Sequence, residues 1–138
     1  MNLKRLMALV LSVSLVAGAV LASGCAPAQI IENITSQDAF ALIQDTQSNP
    51  DFVILDVRTR AEFASGHIEN AINMDFYSET FRNELNNLDK NKTYLIYCRS
   101  GGRSGKASDI TAELNFKKVY NMIGGITAWK AEGLPITK

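Results

Sequence analysis

Tyr94-Leu95-Ile96-Tyr97-Cys98-Arg99-Ser100-Gly101-Gly102-Arg103-Ser104 is the stretch on which the reading of this chain turns. Its first four residues are apolar or aromatic without alternation, as in a strand buried on both faces of a parallel sheet. Cys98 follows at once, and beyond the loop Ala107, Ile110, Thr111 and Leu114 recur at helical spacing. A strand, a tight glycine-containing loop and a helix start leave a concavity of free N–H groups, to which the helix dipole adds positive field. Glycines at 101 and 102 let the chain curl until those groups converge. Cys98 shares that field with Arg99 and Arg103, and both effects favour a thiolate at neutral pH without a general base. Cys98 is therefore the candidate nucleophile, and Arg99, Ser100, Gly101, Gly102 and Arg103 the candidate substrate cradle. A free cysteine buried as a small hydrophobe is the alternative.

Working outward, the same alternation of short apolar run and helical pattern recurs. The other runs are Ile30-Ile31, Phe52-Val53-Ile54-Leu55, Ala71-Ile72-Asn73-Met74 and Val119-Tyr120-Asn121-Met122. Thr35-Ser36-Gln37-Asp38 offers an N-cap to a helix through Ile43, which Asn49-Pro50 closes. Phe81, Leu85 and Leu88 lie on one face of another. This order predicts βα units and an α/β fold, a mostly parallel sheet with helices on both faces, whose sites lie beyond the carboxyl ends of the strands.

Composition narrows the function. The 138 residues, with 46% hydrophobic, describe one ordinary domain. Fourteen basic groups against 14 acidic ones supply no field for nucleic acid. One histidine (His67) and two cysteines cannot assemble a zinc site. No metal or cofactor is expected.

The first residues have their own pattern. Lys4 and Arg5 precede the apolar run Leu6 to Val16, then Ala17-Gly18-Ala19, and no further charge occurs before Glu32. That is a secretory signal, too short and too dilute in apolar residues for a membrane span. Leu21-Ala22-Ser23-Gly24-Cys25 resembles the lipobox of bacterial lipoproteins, with Leu21 one place earlier than usual. Residues 1–24 are thus expected to be a lipoprotein signal peptide, Cys25 to be lipidated, and 25–29 to be a short linker to a domain over 30–138. A disulfide between Cys25 and Cys98 is the competing use of the two cysteines. The Ala26–Gln29 segment reaches about 15 Å at most, so an exported domain held close against a bacterial membrane is expected.

Four stretches in order resemble the rhodanese-like sulfurtransferases over about residues 30–138. They are Leu55-Asp56-Val57-Arg58-Thr59 with Glu62-Phe63; Gly66-His67-Ile68 with Ala71-Ile72-Asn73; the loop Cys98 to Ser104; and Gly124-Gly125-Ile126-Thr127-Ala128-Trp129 with Gly133-Leu134-Pro135. The resemblance implies a five-stranded sheet and a persulfide on Cys98. The donor would be a sulfane sulfur source such as thiosulfate, and the acceptor a thiol or another protein. Two guanidiniums at the mouth, Arg99 and Arg103, favour a dianion such as thiosulfate over mercaptopyruvate. Related phosphatases and arsenate reductases carry a loop one residue longer between cysteine and arginine, wide enough for a tetrahedral oxyanion. That makes them the second enzymatic reading. A sulfur-carrier or interaction module at the membrane is the non-enzymatic one, and a monomer is expected.

The remaining residues of these motifs are read as structural. Asp56 and Arg58 sit where they could contact substrate but form a local scaffold, with Arg58 reaching Glu62 across a turn. His67 packs and hydrogen-bonds rather than acting as a base, Trp129 anchors the last helix in the core, and Gly124-Gly125 turn the chain into that helix. Lys117-Lys118 is a solvated helix end or loop.

Overall fold

The computed structural model describes Gly24 and residues 27–138. The expected signal peptide, Gly24 apart, and the expected lipidation at Cys25 lie outside the described residues. Ten elements follow one another: β1 (Ile30–Ile34), α1 (Ser36–Thr46), β2 (Phe52–Asp56), α2 (Arg60–Ala64), β3 (Ile72–Asn73), α3 (Phe81–Asn86), β4 (Thr93–Tyr97), α4 (Gly102–Glu113), β5 (Lys118–Met122) and α5 (Gly125–Ala131). The strands form one sheet in the order β1-β5-β4-β2-β3, every pair parallel. Among the described residues no helix is long and apolar enough to cross a membrane.

The central strand explains the continuous apolar runs. In β4, Tyr94 and Ile96 face one layer, where they meet Leu55, Val119, Phe81, Leu85 and Ala107. Leu95 and Tyr97 face the other, with Ile54, Met122, Ala39, Ile126 and Trp129. Because side chains alternate across a strand, a strand covered by helices on both sides must be apolar at every position. Helices α3 and α4 thus cover one face, and α1 and α5 the other.

Three elements depart from the sequence expectation. The run Ala71–Met74 pairs with β2 only at Ile72 and Asn73, because this is an edge strand entered through Asn70 at φ +64°. Ile72 is half exposed as a result. Helix α3 stops at Asn86, capped by Asn87, and Leu88 reaches the core from a turn. Lys118 opens β5 rather than lying in a loop, its ammonium over the Tyr120 ring. The cap of α1 is as expected, with the Thr35 hydroxyl accepting from the Asp38 N–H at 3.1 Å.

Gln29, immediately ahead of β1, is tied down at the amino-end edge of the sheet. Its side-chain amide donates to the carbonyls of Ala112 (3.0 Å), in the last turn of α4, and Phe116 (2.7 Å), just beyond it.

Trp129 is the largest fully buried side chain; it meets Phe40 edge-on and donates its indole N–H to the Pro135 carbonyl at 2.8 Å. Trp129→Ala is expected to cost about 3–5 kcal/mol, read as a lower urea midpoint by far-UV circular dichroism. Trp129→Phe should lose clearly less.

Candidate active site

The carboxyl ends of β4, β2 and β5 deliver Cys98, Val57 and Ile123 to one edge of the sheet, and the loop after β4 closes there against α5. The first N–H groups of α5 anchor it. Ile126 donates to the Cys98 carbonyl at 2.9 Å and Thr127 to the Arg99 carbonyl at 3.0 Å. With those carbonyls turned outward, the following peptide N–H groups face inward. Gly101 adopts φ +110°, a conformation that L side chains rarely adopt, and becomes the N-cap of α4. Gly125 is required for a different reason: a Cβ there would lie 2.5 Å from the backbone of Cys98 and Arg99.

At the centre sits the Cys98 sulfur, a free thiol in a residue only 1% exposed. The Gly101 N–H points at it from 3.1 Å. Burial pushes the thiol up. Hydrogen bonding from the Ser104 hydroxyl and from the N–H groups of Ser104, Gly101 and Ser100 more than offsets that and holds it below the ordinary thiol range. Ser104 is fully buried in the first turn of α4, with the Gly101 carbonyl, 3.3 Å away, as its hydroxyl's other partner. Composition alone does not mark Ser104; its place in the first turn of the helix that follows the loop is the signal the sequence carries.

Arg103 is gripped by Glu62, Nη1 to Oε2 and Nη2 to Oε1, both at 2.8 Å, and lies over the Tyr77 ring. It therefore stands at the site as one half of an ion pair. Arg99 is exposed, and Ser100 and Gly102 lie at the surface of the loop.

Glu62 was expected to meet Arg58, and here the structure differs. Arg58 folds back on Asp56, with Nη2 to Oδ2 at 2.6 Å, Nε to both carboxylate oxygens at 3.0 Å, and Nη2 to the Gly66 carbonyl at 2.7 Å. Glu62 instead closes a capping box on Thr59 at the start of α2 and turns its carboxylate to Arg103. That helix, with its Thr59-x-x-Glu62 signature, is the element the sequence reading passed over. His67 is structural, stacked on Phe63 with Nδ1 3.0 Å from the Phe63 carbonyl oxygen and paired through its backbone to Thr137. Among the described residues no cluster of three His, Cys, Asp or Glu is placed to hold a metal ion.

A parallel α/β sheet thus ends one of its inner strands in a buried cysteine that accepts hydrogen bonds from backbone N–H groups of the following loop. The family model for the rhodanese-like domain matches residues 38–132, and the chain belongs to that family. A sulfurtransferase of Allochromatium vinosum is 34% identical over 107 residues, 78% of this chain and 95% of that protein. A tRNA uridine(34) hydroxylase of Pectobacterium carotovorum is 35% identical over 80% of this chain, which spans 32% of the hydroxylase's length. Among solved structures, a rhodanese-related protein of Thermoplasma volcanium superposes with a TM-score of 0.65 at 29% identity, over 77% of this chain and 97% of that one.

Two outcomes follow from this geometry. The pH at which Cys98 becomes alkylable by iodoacetamide should move upward in Ser104→Ala; an unmoved profile would remove the hydroxyl from the thiolate's support. Hydrogen bonds from Arg103 above all, which outweigh the upward push of burial, and from Thr59 hold the Glu62 carboxyl down to about 2 from 4.5. A group depressed on folding contributes stability above its unfolded pKa and loses it as pH falls towards the folded one. Melting temperature should therefore fall more steeply between pH 4.5 and 2 in the wild type than in Glu62→Gln.

Proposed function

We propose that the protein is a sulfurtransferase that carries sulfur as a persulfide on Cys98, with thiosulfate as donor. The Cys98 thiolate attacks the outer sulfur of thiosulfate. The S–S bond of the donor breaks, sulfite leaves with the electron pair, and Cys98 holds a terminal S⁻. A thiophile then attacks that sulfur, and Cys98 departs as the thiolate it began as. Neither step requires a proton to be moved at the nucleophile, which suits a site whose thiol is held low by hydrogen bonds rather than by a base.

One observation carries the reading: the Gly101 N–H lies 3.1 Å from the Cys98 sulfur, one of several donors that favour the thiolate which attacks the sulfur donor and departs again on transfer. Four residues separate Cys98 from Arg103, a cradle sized for one sulfur atom rather than a tetrahedral oxyanion. The relation to the Allochromatium sulfurtransferase supports sulfur transfer as the reaction class. With the signal-like start and Cys25, the reading extends to an exported, monomeric lipoprotein acting at a bacterial membrane.

Thiocyanate formation from thiosulfate and cyanide tests it. Activity is expected in the wild type, with loss of at least a hundredfold in Cys98→Ser and no phosphate release from an aryl phosphate. Phosphate release instead of thiocyanate would transfer the site to oxyanion chemistry. A Cys98 that gains one sulfur by intact mass yet makes no thiocyanate would make the protein a carrier dedicated to a partner.

A further inference from the structure

Beside the cradle, on the far side of Arg99, lies a second concavity of about 390 Å³. Its walls include Arg58, Glu62, Arg99, Thr127 and Lys130, and of the loop it touches Arg99 alone. The charges do not cancel. Arg58 is matched by Asp56 and Glu62 by Arg103, whereas Arg99 and Lys130 have no ion-pair partner among the described residues. Arg58 adds a built-in donor. Its side chain is only 4% exposed, and while Nε and Nη2 are fully engaged, Nη1 donates no hydrogen bond among the described residues. The Thr127 hydroxyl stands on the same wall, donating to nothing among the described residues. The two unpaired cations Arg99 and Lys130, with the spare Nη1 donor of Arg58 and the Thr127 hydroxyl, form a site for an anion, and a planar guanidinium suits a carboxylate.

The walls include neither Cys98 nor residues 100–103, so an anion held there lies outside the loop that surrounds the sulfur. A molecule that occupies it and also reaches the cradle must carry its anionic group several bonds from its reactive atom. We propose that the cleft binds the carboxylate of the sulfur acceptor, and that the acceptor is a small carboxylate-bearing thiol. This rests on the persulfide reading above. The acceptor's thiolate attacks the outer sulfur of the Cys98 persulfide. A new S–S bond forms to the acceptor, the bond to the Cys98 sulfur breaks with its electron pair returning to Cys98, and the acceptor leaves as a persulfide anion. No other reactant is needed. Arg99 and Lys130 fix the carboxylate, so the attacking sulfur is delivered along the Arg99 side of the loop.

The test compares acceptors with thiosulfate as the donor. The ratio of kcat/KM for 3-mercaptopropionate over 2-mercaptoethanol, measured in wild type and in Lys130→Gln, cancels each thiol's intrinsic reactivity. It should fall about tenfold in the variant, the loss of one charge-assisted contact, and Lys130→Glu should turn the preference towards cysteamine. An unchanged ratio overturns the proposal. So does an equal loss of thiosulfate KM in Lys130→Gln, which would give the cleft to the donor. A second arm does not depend on sulfur chemistry. Glutarate added to Cys98→Ser should shift the amide resonances of Thr127 and Lys130, and sulfate at the same concentration should shift them less. Absence of glutarate shifts removes the anion site. Failure of thiosulfate to add sulfur to wild-type Cys98, with the glutarate shifts intact, removes the sulfurtransferase reading and the thiol assignment with it while the anion site stands.

Discussion

Two hydrogen bonds from the start of α5 hold the site in shape. Ile126 and Thr127 donate to the carbonyls of Cys98 and Arg99. A peptide group is rigid, so pinning a carbonyl outward decides where the next N–H points. These two contacts therefore orient the N–H groups of Arg99 and Ser100, and the Ser100 N–H is one of the donors to the Cys98 sulfur. They also explain why the last motif of the chain is inseparable from the loop: Gly125 must lack a side chain for α5 to approach, and Trp129 fastens the same helix to the core. Any change that tilts α5 loosens the cradle without touching Cys98.

The arginines around the loop illustrate how charge is distributed. Two of them, Arg58 and Arg103, are each assigned a carboxylate, and each pair ties together segments distant in sequence or sharply turned. Asp56 is fully buried, so its pairing with Arg58 offsets a desolvation cost that neither residue would tolerate alone. The Glu62–Arg103 pair stitches α2 to the first turn of α4. What remains is a field made by backbone donors at the centre and by Arg99 and Lys130 at the margin. The Cys98 sulfur is thus met by dipoles that do not move, rather than by long side chains that must be ordered around it.

Much of this was legible in the residues, and the parts that were not share a cause. The continuous run Tyr94–Tyr97 could be read as a doubly covered strand because nothing but burial on both faces allows four such residues in succession. The loop was legible because Cys98, Gly101 and Gly102 each carry a local signature. Helix α2 is five residues long and has no fully buried residue, so it leaves no apolar stripe, only the Thr59–Glu62 cap. Edge strand β3 is defined by two residues of pairing, below what a hydrophobic run can bound. The partners of Arg58 and Arg103 could not be read, because a guanidinium's choice between Asp56 and Glu62 is settled by tertiary placement and not by spacing.

The clamp on Gln29 has a directional meaning. Strands of a parallel sheet all start at one rim and finish at the other, and here five residues of strand separate them by roughly 16 Å. Gln29 is fastened at the starting rim, to the tail of α4, while Cys98 stands at the finishing rim. Residues 27–29 therefore enter the fold at the pole opposite the sulfur. A double attachment at that point gives the domain a heading, with the start of β1 held at its base and the cradle at its far end.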